Sequence, residues 1–272
     1  MSRLEIFKGQ AVCEVHGPYT YTARRVGRIE VGKVCPSCLL DGQKKAEQKQ
    51  AVRSAQLAEQ ERQQQLELAQ VPKTFRDCTL ASYEIVNERA DLTVRTVKSY
   101  LDNFTSVLQL KPVPGMVFSG VPGTGKTHLA SLMIAELLSR GHSAMYCTAP
   151  NFLIEMEDAR FGRHDLSTTA LIKRYTKPQL LVLDEYGAHS TREIDYQALF
   201  SVIDSRYQSN LPTVLITNLQ CQREGSALAD ASMPLSQAID DRLIERIRGH
   251  GGPLFAFDWP SFRHRASHGL VA

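Results

Sequence analysis

Residues 116–138 read MVFSGVPGTGKTHLASLMIAELL. The first four residues predict a short buried strand, the next eight match the pattern G-x-x-x-x-G-K-T, and the apolar run Leu129–Leu138 predicts a helix. In this order of strand, loop and helix, backbone N–H groups close around phosphates and the helix N-terminus adds a positive dipole. We therefore predict a nucleotide site in which Lys126 reaches the β- and γ-phosphates and Thr127 ligates Mg²⁺.

A second passage, residues 180–185, reads LLVLDE. Its apolar residues predict a fully buried strand of a parallel sheet. Asp184 is expected to hold Mg²⁺ through water, and Glu185 to polarise a water for in-line attack on the γ-phosphate. Glu185 argues against a small-molecule kinase, whose nucleophile comes from its substrate, so the sequence predicts an ATPase. The residues expected to contact ATP or ADP are Gly120, Pro122, Gly123, Thr124, Gly125, Lys126, Thr127, His128 and Asp184.

Three polar residues further along the chain are candidates to complete this site. Asn218 ends a third apolar strand and is expected to orient the attacking water, with Thr217 a weaker candidate and a strand-end cap the alternative role for Asn218. Arg242 lies in a predicted amphipathic helix and is expected to reach the γ-phosphate of a neighbouring subunit, unless it forms only a surface ion pair. Arg263 is expected to sense the phosphates of its own subunit.

Apolar runs alternate with helix-forming segments after residue 115. Strands are predicted near residues 116–119, 144–148, 180–184, 213–217 and 254–257. A capping box at Ser190–Glu193 predicts a helix that runs to about Tyr207, and spaced apolar residues predict another over residues 86–108. This alternation predicts an α/β fold with a doubly wound parallel sheet.

The first forty residues contain two pairs of potential metal ligands: Cys13 and His16, then Cys35 and Cys38. Two such pairs separated by eighteen residues are typical of a tetrahedral zinc site. Residues 19–23 and 28–31 predict the short strands of a zinc ribbon. A module of this size needs a stabilising metal ion because its core is small. The alternative is a chance cluster of reduced thiols with a surface histidine.

The chain has 272 residues and a formal net charge of +3. Residues 1–40 hold six Lys/Arg and three Asp/Glu, so the whole surplus lies within them. Residues 41–70 predict a long helix, which is either a solvated linker, a partner-docking helix or half of a helical hairpin. We therefore predict a zinc-ribbon-like module over residues 1–40, a helical linker over 41–70 and a nucleotide-binding domain over 71–272.

Composition excludes two classes of protein. At 43% hydrophobic and 22% charged residues, the chain can bury a core and is not disordered. No apolar run approaches the roughly 18–20 residues that cross a bilayer, and the first residues lack the apolar segment of a secretion signal. We expect a cytoplasmic protein whose cysteines stay reduced.

These passages together resemble the AAA+ ATPases, and within them the DnaC/DnaI-type bacterial replicative helicase loaders. The resemblance covers about residues 71–272 and is carried by FSGVPGTGKTHLA, LLVLDEYG, SRYQSNLPTVLITN, IDDRLIERI and FDWPSFRHR. Only about thirty residues follow Arg242, too few for the usual AAA+ helical lid, and such loaders likewise lack a full lid. The Cys/His module resembles the zinc-binding N-terminal domain of DnaI-type loaders.

The resemblance implies a protein that binds ATP, assembles on a DnaB-type hexameric helicase, holds its ring open and helps place it on single-stranded DNA. Arg242 then matches the family's arginine finger and Arg263 its second sensor, which implies self-association into an open ring or spiral. ATP hydrolysis is expected to be slow and to respond to DNA or to the helicase.

The resemblance also implies a contact with single-stranded DNA between the second and third strands of the sheet. Arg160, Phe161 and Arg163 lie in this stretch, and an aromatic ring flanked by arginines suits base stacking and phosphate contact. Lys173–Arg174 is a second candidate. An ordinary exposed loop is the alternative.

Two other functions share the predicted ATPase core. IstB-type transposition helpers use ATP to select target DNA, but they usually lack a zinc module. A zinc-bearing adaptor would use the nucleotide only as a structural switch. The presence of Lys126, Asp184, Glu185 and Arg242 argues against the adaptor, because a site without turnover would tolerate the loss of some of them.

Overall fold

A computed structural model describes residues 5–26, 29–187, 193–219 and 239–262. Arg263 and most of the predicted capping box, residues 190–192, lie outside these ranges. The chain divides into two compact units, Met1–Arg62 and Gln63–Ala272.

The N-terminal unit contains a three-stranded antiparallel sheet. Its strands, in spatial order, are β1 (Glu5–Cys13), β2 (Gly17–Val26) and β3 (Ile29–Val31). A tight turn closes the hairpin of β1 and β2, with Gly17 at a φ of +75° pairing with Cys13. The two predicted segments fall on β2 and β3, whereas β1 was not predicted.

Helix α1 (Pro36–Leu68) follows the sheet and begins before the predicted boundary at residue 41. Pro36 accounts for the early start, because proline suits the first turn of a helix, where an N–H group has no partner. From Asp41 to Glu61 every side chain is exposed, and Leu66 is the first buried one. Most of α1 is therefore solvated, and only its last turns enter a core.

The chain next forms two short 3-10 turns and the helices α2 (Glu88–Asp102) and α3 (Phe104–Val107). The prediction of a single helix over residues 86–108 is wrong at one point, because the observed helix is interrupted at Asn103. The Asn103 amide donates to the Ser99 carbonyl at 2.8 Å, and such local side-chain bonds compete with continued helix.

The C-terminal unit is built on a five-stranded parallel sheet. Its strands are β4 (Met116–Gly120), β5 (Ala144–Thr148), β6 (Leu180–Tyr186), β7 (Thr213–Thr217) and β8 (Leu254–Phe257). Their spatial order is β5-β6-β7-β4-β8 and every pairing is parallel. All five predicted strands are present, and β4 lies between β7 and β8.

Helices cover both faces of this sheet. The helices between successive strands are α4 (Lys126–Ser139), α5 (Ala149–Arg160), α6 (Thr168–Thr176), α7 (Glu193–Gln208) and α8 (Asp241–Arg248). Helices α2, α3 and α4 pack on one face of the sheet, together with Met116 and Phe118. Helices α5 to α8 pack on the opposite face, together with Val117. This alternation follows the two-residue period of a strand and confirms the doubly wound fold.

Within the described residues after Arg242, regular structure is confined to the rest of α8 and to β8, so this part of the chain contains no helical lid. None of the described helices combines the length and apolar content needed to cross a bilayer.

Arg206 on α7 is fully buried and ties several loops together. Its guanidinium donates to Thr213 Oγ1 and to the carbonyls of Tyr175, Thr176, Pro178, Gln179 and Pro212. Burial lowers the pKa of Arg206 to about 9. Because this value is still above 7, the guanidinium remains charged at neutral pH. The arginine thus fixes the end of α6 against the starts of β6 and β7.

Candidate functional site

The predicted phosphate loop connects β4 to α4. Gly125 caps α4 in the left-handed conformation, at a φ of +91°, and a Cβ there would lie 2.8 Å from Tyr83 Oη, so glycine is required. Lys126 is 5% exposed, and its Nζ donates to the carbonyls of Gly120 and Val121, both at 2.7 Å. The lysine is therefore held against the loop whose N–H groups are suited to bind phosphates.

Asp184 receives three hydrogen bonds at the end of β6. Its Oδ2 accepts from Thr127 Oγ1 at 2.7 Å and from Tyr146 Oη at 2.9 Å, while its Oδ1 accepts from the Glu185 N–H at 2.6 Å. Burial and the nearby Asp184 charge raise the pKa of Tyr146 well above its usual range, so its hydroxyl remains a donor. The two predicted Mg²⁺ ligands, Thr127 and Asp184, are in direct contact.

Tyr146 is a site residue that the sequence did not reveal. It lies within the apolar strand β5, where a tyrosine is an ordinary core residue, and its partner Asp184 is distant in sequence. Only the pairing of β5 with β6 brings the two side chains together.

Glu185 and Asn218 are both exposed beside this buried cluster. Asp184 is buried and Glu185, which has a φ of +57°, is exposed, so the adjacent carboxylates have different environments. Thr217 is buried and donates to the Tyr186 carbonyl at 2.9 Å. That bond occupies Thr217 in holding β7 to β6, and Asn218 remains the candidate for orienting water.

The chain after β8 braces the phosphate loop. Trp259 Nε1 donates to the Thr124 carbonyl at 2.9 Å, and the Phe262 N–H donates to the Gly123 carbonyl at 2.9 Å. These bonds occupy carbonyl groups of the loop, which leaves its N–H groups as the ones available to a phosphate.

Three aromatic side chains cluster next to the loop. The His128 ring stacks on Phe75, with centroids 5.3 Å apart and 14° between the planes, and its centroid lies 5.3 Å from that of Tyr83. Tyr83 Oη and His128 Nε2 are buried without a hydrogen-bond partner among the described residues. Burial lowers the pKa of His128, so the ring is neutral at pH 7. Buried polar atoms normally have partners, so this cluster suits a polar ligand.

Arg242 lies in the first turn of α8. Its guanidinium is 2.7 Å from the Asp240 carboxylate, while 70% of its side chain is exposed. Asp240 also caps α8 by accepting from the Arg242 N–H, and it accepts from Tyr196 Oη at 2.6 Å. Arg242 therefore forms the surface ion pair that the sequence indicated as its alternative role. Its guanidinium is still accessible to a second chain.

The predicted DNA-contact residues lie at the end of α5 and just after it. Arg160, Phe161 and Arg163 are all exposed, and the Phe161 ring is 68% exposed. The Arg163 guanidinium lies 5.0 Å from the centroid of that ring. Of the second candidate pair, Lys173 is exposed, whereas Arg174 is half-buried and pairs with Glu155.

The four metal-ligand candidates of the N-terminal unit converge. The sulfurs of Cys13, Cys35 and Cys38 and one ring nitrogen of His16 all lie within 4.8 Å of one another. The Cys13 and Cys38 sulfurs are 3.4 Å apart, and Cys38 Sγ lies 3.3 Å from His16 Nδ1. Sulfur ligands about 2.3 Å from a tetrahedral zinc ion are about 3.8 Å apart, so the cluster fits zinc.

Asp41 and the turn after β1 support this cluster. His16 Nε2 lies 2.9 Å from Asp41 Oδ2, which directs Nδ1 toward the sulfurs, and a carboxylate is a usual partner for a zinc-binding histidine. Hydrogen bonds from the Val15 and His16 N–H groups lower the pKa of Cys13 to about 6, which favours the thiolate that binds metal. Sequence reasoning missed Asp41, although its position one helical turn after Cys38 was a signal.

Known proteins resemble both the sequence and the fold. The replicative helicase loader DnaC of Escherichia coli (strain K12) is 25% identical over 221 residues, 80% of this chain and 83% of that one. The crystal structure of the DnaC helicase loader matches with a TM-score of 0.56 at 21% identity, over 68% of this chain and 99% of that chain. The crystal structure of DnaI matches with a TM-score of 0.54 at 19% identity, over 68% and 93%. At these identities the two structures establish the fold.

A family model described as IstB-like ATP binding protein matches residues 46–250, well over half of the chain. The matched range contains the phosphate loop, the Asp184–Glu185 pair, Asn218 and Arg242. The predicted AAA+ fold and the predicted nucleotide-binding family are thus confirmed, and the chain belongs to the IstB-like ATP-binding protein family.

Proposed function

We propose that this protein is an ATP-dependent loader of a hexameric replicative DNA helicase of the DnaB type. The observation that carries the proposal is a phosphate loop whose Thr127 contacts Asp184, in a chain that matches DnaC loaders over 80% of its length. ATP binding and hydrolysis control the opening of the helicase ring and its deposition on single-stranded DNA.

The contacts of the site support its roles in hydrolysis. Lys126 moves from the loop carbonyls to the β- and γ-phosphates, and Thr127 and Asp184 hold Mg²⁺. Glu185, exposed beside them, accepts a proton from the water that attacks the γ-phosphate, and Asn218 orients that water. The products are ADP and phosphate, and turnover is slow until DNA or the helicase is bound.

The aromatic cluster supports a place for the rest of the nucleotide. Tyr83 Oη, which lies next to Gly125, and His128 Nε2 are buried without a hydrogen-bond partner in the described parts of the chain. Polar atoms of the bound nucleotide satisfy them, because leaving such groups unpaired is costly. This assigns His128 to the nucleotide contacts, as the sequence predicts.

Arg242 supports hydrolysis between subunits. Its exposed guanidinium lies in a surface ion pair with Asp240, so a neighbour's γ-phosphate can compete for it. We propose that copies of the chain assemble on the helicase as an open ring or spiral, with Arg242 of one copy completing the site of the next and Arg263 sensing phosphates in its own site.

DNA contact is assigned to Arg160, Phe161 and Arg163. The exposed Phe161 ring supplies a stacking face, and the two arginines supply positive charge beside it. Single-stranded DNA is the matching ligand, because bases stacked within a duplex do not offer their faces.

The N-terminal unit is assigned to zinc and to the helicase. Cys13, His16, Cys35 and Cys38 bind one zinc ion in the module over residues 1–40. Residues 41–70 link this module to the ATPase domain over residues 71–272 or dock on the helicase themselves.

Binding to the helicase is the direct test. We expect the full chain to co-purify with a DnaB-type hexamer in the presence of ATP, and a chain lacking residues 1–62 to lose most of this binding while still binding ATP. That truncation retains Leu66 and Ala69, which are buried in the core of the C-terminal unit. Retained ATP binding without any helicase complex would favour the transposition helper, which selects target DNA.

Glu185→Gln separates ATP binding from hydrolysis. The amide cannot accept a proton, so kcat should fall about 100-fold or more while ATP affinity is unchanged. Lys126→Ala is the control and should abolish nucleotide binding instead. Near-normal turnover in Glu185→Gln would remove Glu185 from the mechanism, and the absence of turnover in the wild type with DNA and helicase would favour the adaptor.

A further inference from the structure

Tyr146 connects the metal-binding end of the predicted site to the chain segment that follows α1. Its hydroxyl donates to Asp184 Oδ2 at 2.9 Å, and its backbone N–H donates to the Ala69 carbonyl at 2.8 Å. With its amide oriented so that both ends are satisfied, the Gln70 side chain donates to the Tyr146 carbonyl at 3.1 Å and accepts from Arg174 at 2.8 Å. Tyr146 is therefore bonded through its backbone to the Ala69–Gln70 segment that follows α1, and through its side chain to Asp184.

Both β5 and the Ala69–Gln70 segment are held in place where they meet. β5 is an edge strand, and the Ala69–Gln70 segment occupies the backbone groups that its free edge would expose. Ala69 is 4% exposed, and Gln70 has a φ of +61°, a conformation that a non-glycine residue keeps only when its surroundings hold it. The end of α1 is thus anchored to β5 at Tyr146.

Tyr146 also differs from the other side chain that bonds Asp184 Oδ2. Thr127 is itself a proposed Mg²⁺ ligand, so it moves with the ion and cannot orient the carboxylate independently of it. Tyr146 is 8% exposed, and it belongs to β5 rather than to the phosphate loop. Its hydroxyl is the side-chain donor that holds the carboxylate whether or not the ion is present.

We propose that Tyr146 is a positioning residue through which the Ala69–Gln70 segment sets the orientation of the Asp184 carboxylate, and with it the affinity for the Mg²⁺ complex of the nucleotide. The inference rests on the proposed function only for the nature of the ligand. Since α1 begins at the cysteine–histidine cluster and ends at this segment, a partner that displaces the end of α1 changes the nucleotide affinity.

The test compares Tyr146→Phe with the wild type in binding a fluorescent ADP analogue, once with excess Mg²⁺ and once with a chelator. We expect the Kd with Mg²⁺ to rise about tenfold in the variant, as for the loss of one hydrogen bond to a charged group, and the Kd without metal to be unchanged. Tyr100→Phe is the matched control, because Tyr100 is 9% exposed against 8% for Tyr146, and its hydroxyl donates to the Pro114 carbonyl at 2.8 Å, which belongs to neither Asp184 nor the Ala69–Gln70 segment.

Gln70→Asn tests the connection to α1. Asparagine keeps the amide and tolerates the left-handed backbone, but it is one methylene too short to reach the Tyr146 carbonyl. We expect a smaller loss in the same direction, seen only with Mg²⁺.

Equal Mg²⁺-dependent affinity in Tyr146→Phe and the wild type would overturn the positioning role, and an unchanged Gln70→Asn would overturn the coupling to α1. A loss of the same size in Tyr100→Phe would show a general effect of removing a buried hydroxyl and also overturn the role. If the wild type itself binds no Mg²⁺–nucleotide, it is the proposed function that fails.

Discussion

The two units of this protein are held together in different ways. In the C-terminal unit, two apolar clusters fill the faces of the sheet. In the described part of the N-terminal unit, the only buried apolar residues are Ala23 and Cys35, while Val12 and Val15 are more than three quarters exposed. A unit with so little core needs another source of stability, and the converging cysteines and histidine are the group able to supply it. The comparison contrasts a fold stabilised by burial with one for which we propose stabilisation by a metal ion.

Removing the metal should produce the largest difference between the units. In Cys35→Ser/Cys38→Ser, two ligands are lost, and we expect the β1–β3 sheet to lose its amide protection because metal binding supplies its folding free energy. The C-terminal unit should keep its protection. Hydrogen exchange measured by mass spectrometry checks both regions, and metal analysis of the wild type should find about one zinc per chain.

Cys78→Ser is the control for this experiment, because Cys78 is a half-buried thiol that packs against the core of the C-terminal unit. It should leave both the zinc content and the protection of β1 and β2 unchanged. Full protection of β1 and β2 without metal would show that the N-terminal unit does not depend on the ion, and the contrast with the C-terminal unit would disappear.

Arg206→Met should destabilise the C-terminal unit most among single changes outside the metal cluster. The arginine is fully buried, and its loss leaves a set of carbonyl groups without a donor, which costs about 3 kcal/mol or more in the free energy of unfolding. Urea unfolding followed by tryptophan fluorescence reports this unit, since Trp259 is the single tryptophan. Arg53→Met, at an exposed position of α1, should be silent. A loss below about 0.5 kcal/mol in Arg206→Met would make the hydrogen bonds of Arg206 dispensable.

The amount of apolar burial also decides how well the sequence predicts the strands of each unit. The strands β4 to β8 were predicted within two residues, because a parallel strand buried on both faces is a continuous apolar run. β1 was missed because its side chains are largely exposed and it includes Lys8, Gly9 and Gln10, which give no strand pattern. Motifs revealed Lys126 and Asp184. Tyr146 and Asp41 were missed because tertiary contacts alone, rather than sequence spacing, give them their roles.

Helix α1 belongs to both units and allows a comparison within one element. Leu66 is 1% exposed and packs in the core of the C-terminal unit, whereas Leu57 on the same helix is 51% exposed. Leu66→Ala should cost about 2–4 kcal/mol in the free energy of unfolding, and Leu57→Ala should stay within about 0.5 kcal/mol. Urea unfolding measures both. Equal losses would mean that α1 is packed along its whole length, contrary to the contrast between the units.

Surface charge pairs occur in both units, so their removal should have the smallest effect and should not distinguish the units. In the C-terminal unit, hydrogen bonds from Arg242 and Tyr196 hold the pKa of Asp240 well below its ordinary value of 3.8. Asp240→Asn keeps an α8 cap but loses the charge. In the N-terminal unit, Glu59→Gln removes the matching carboxylate of the Glu59–Arg62 pair.

Asp240 adds a pH dependence whose sign is fixed by its lowered pKa. Because the unfolded chain binds the proton more readily, the carboxylate stabilises the fold above about pH 4, and this contribution is lost as the pH falls through the folded-state pKa. The melting temperature of the wild type should therefore slightly exceed that of Asp240→Asn at neutral pH, and the difference should shrink on acidification and in high salt. A difference that grows in acid would show that the Asp240 carboxyl is stabilising in its protonated form and that the Arg242 pair does not set its pKa.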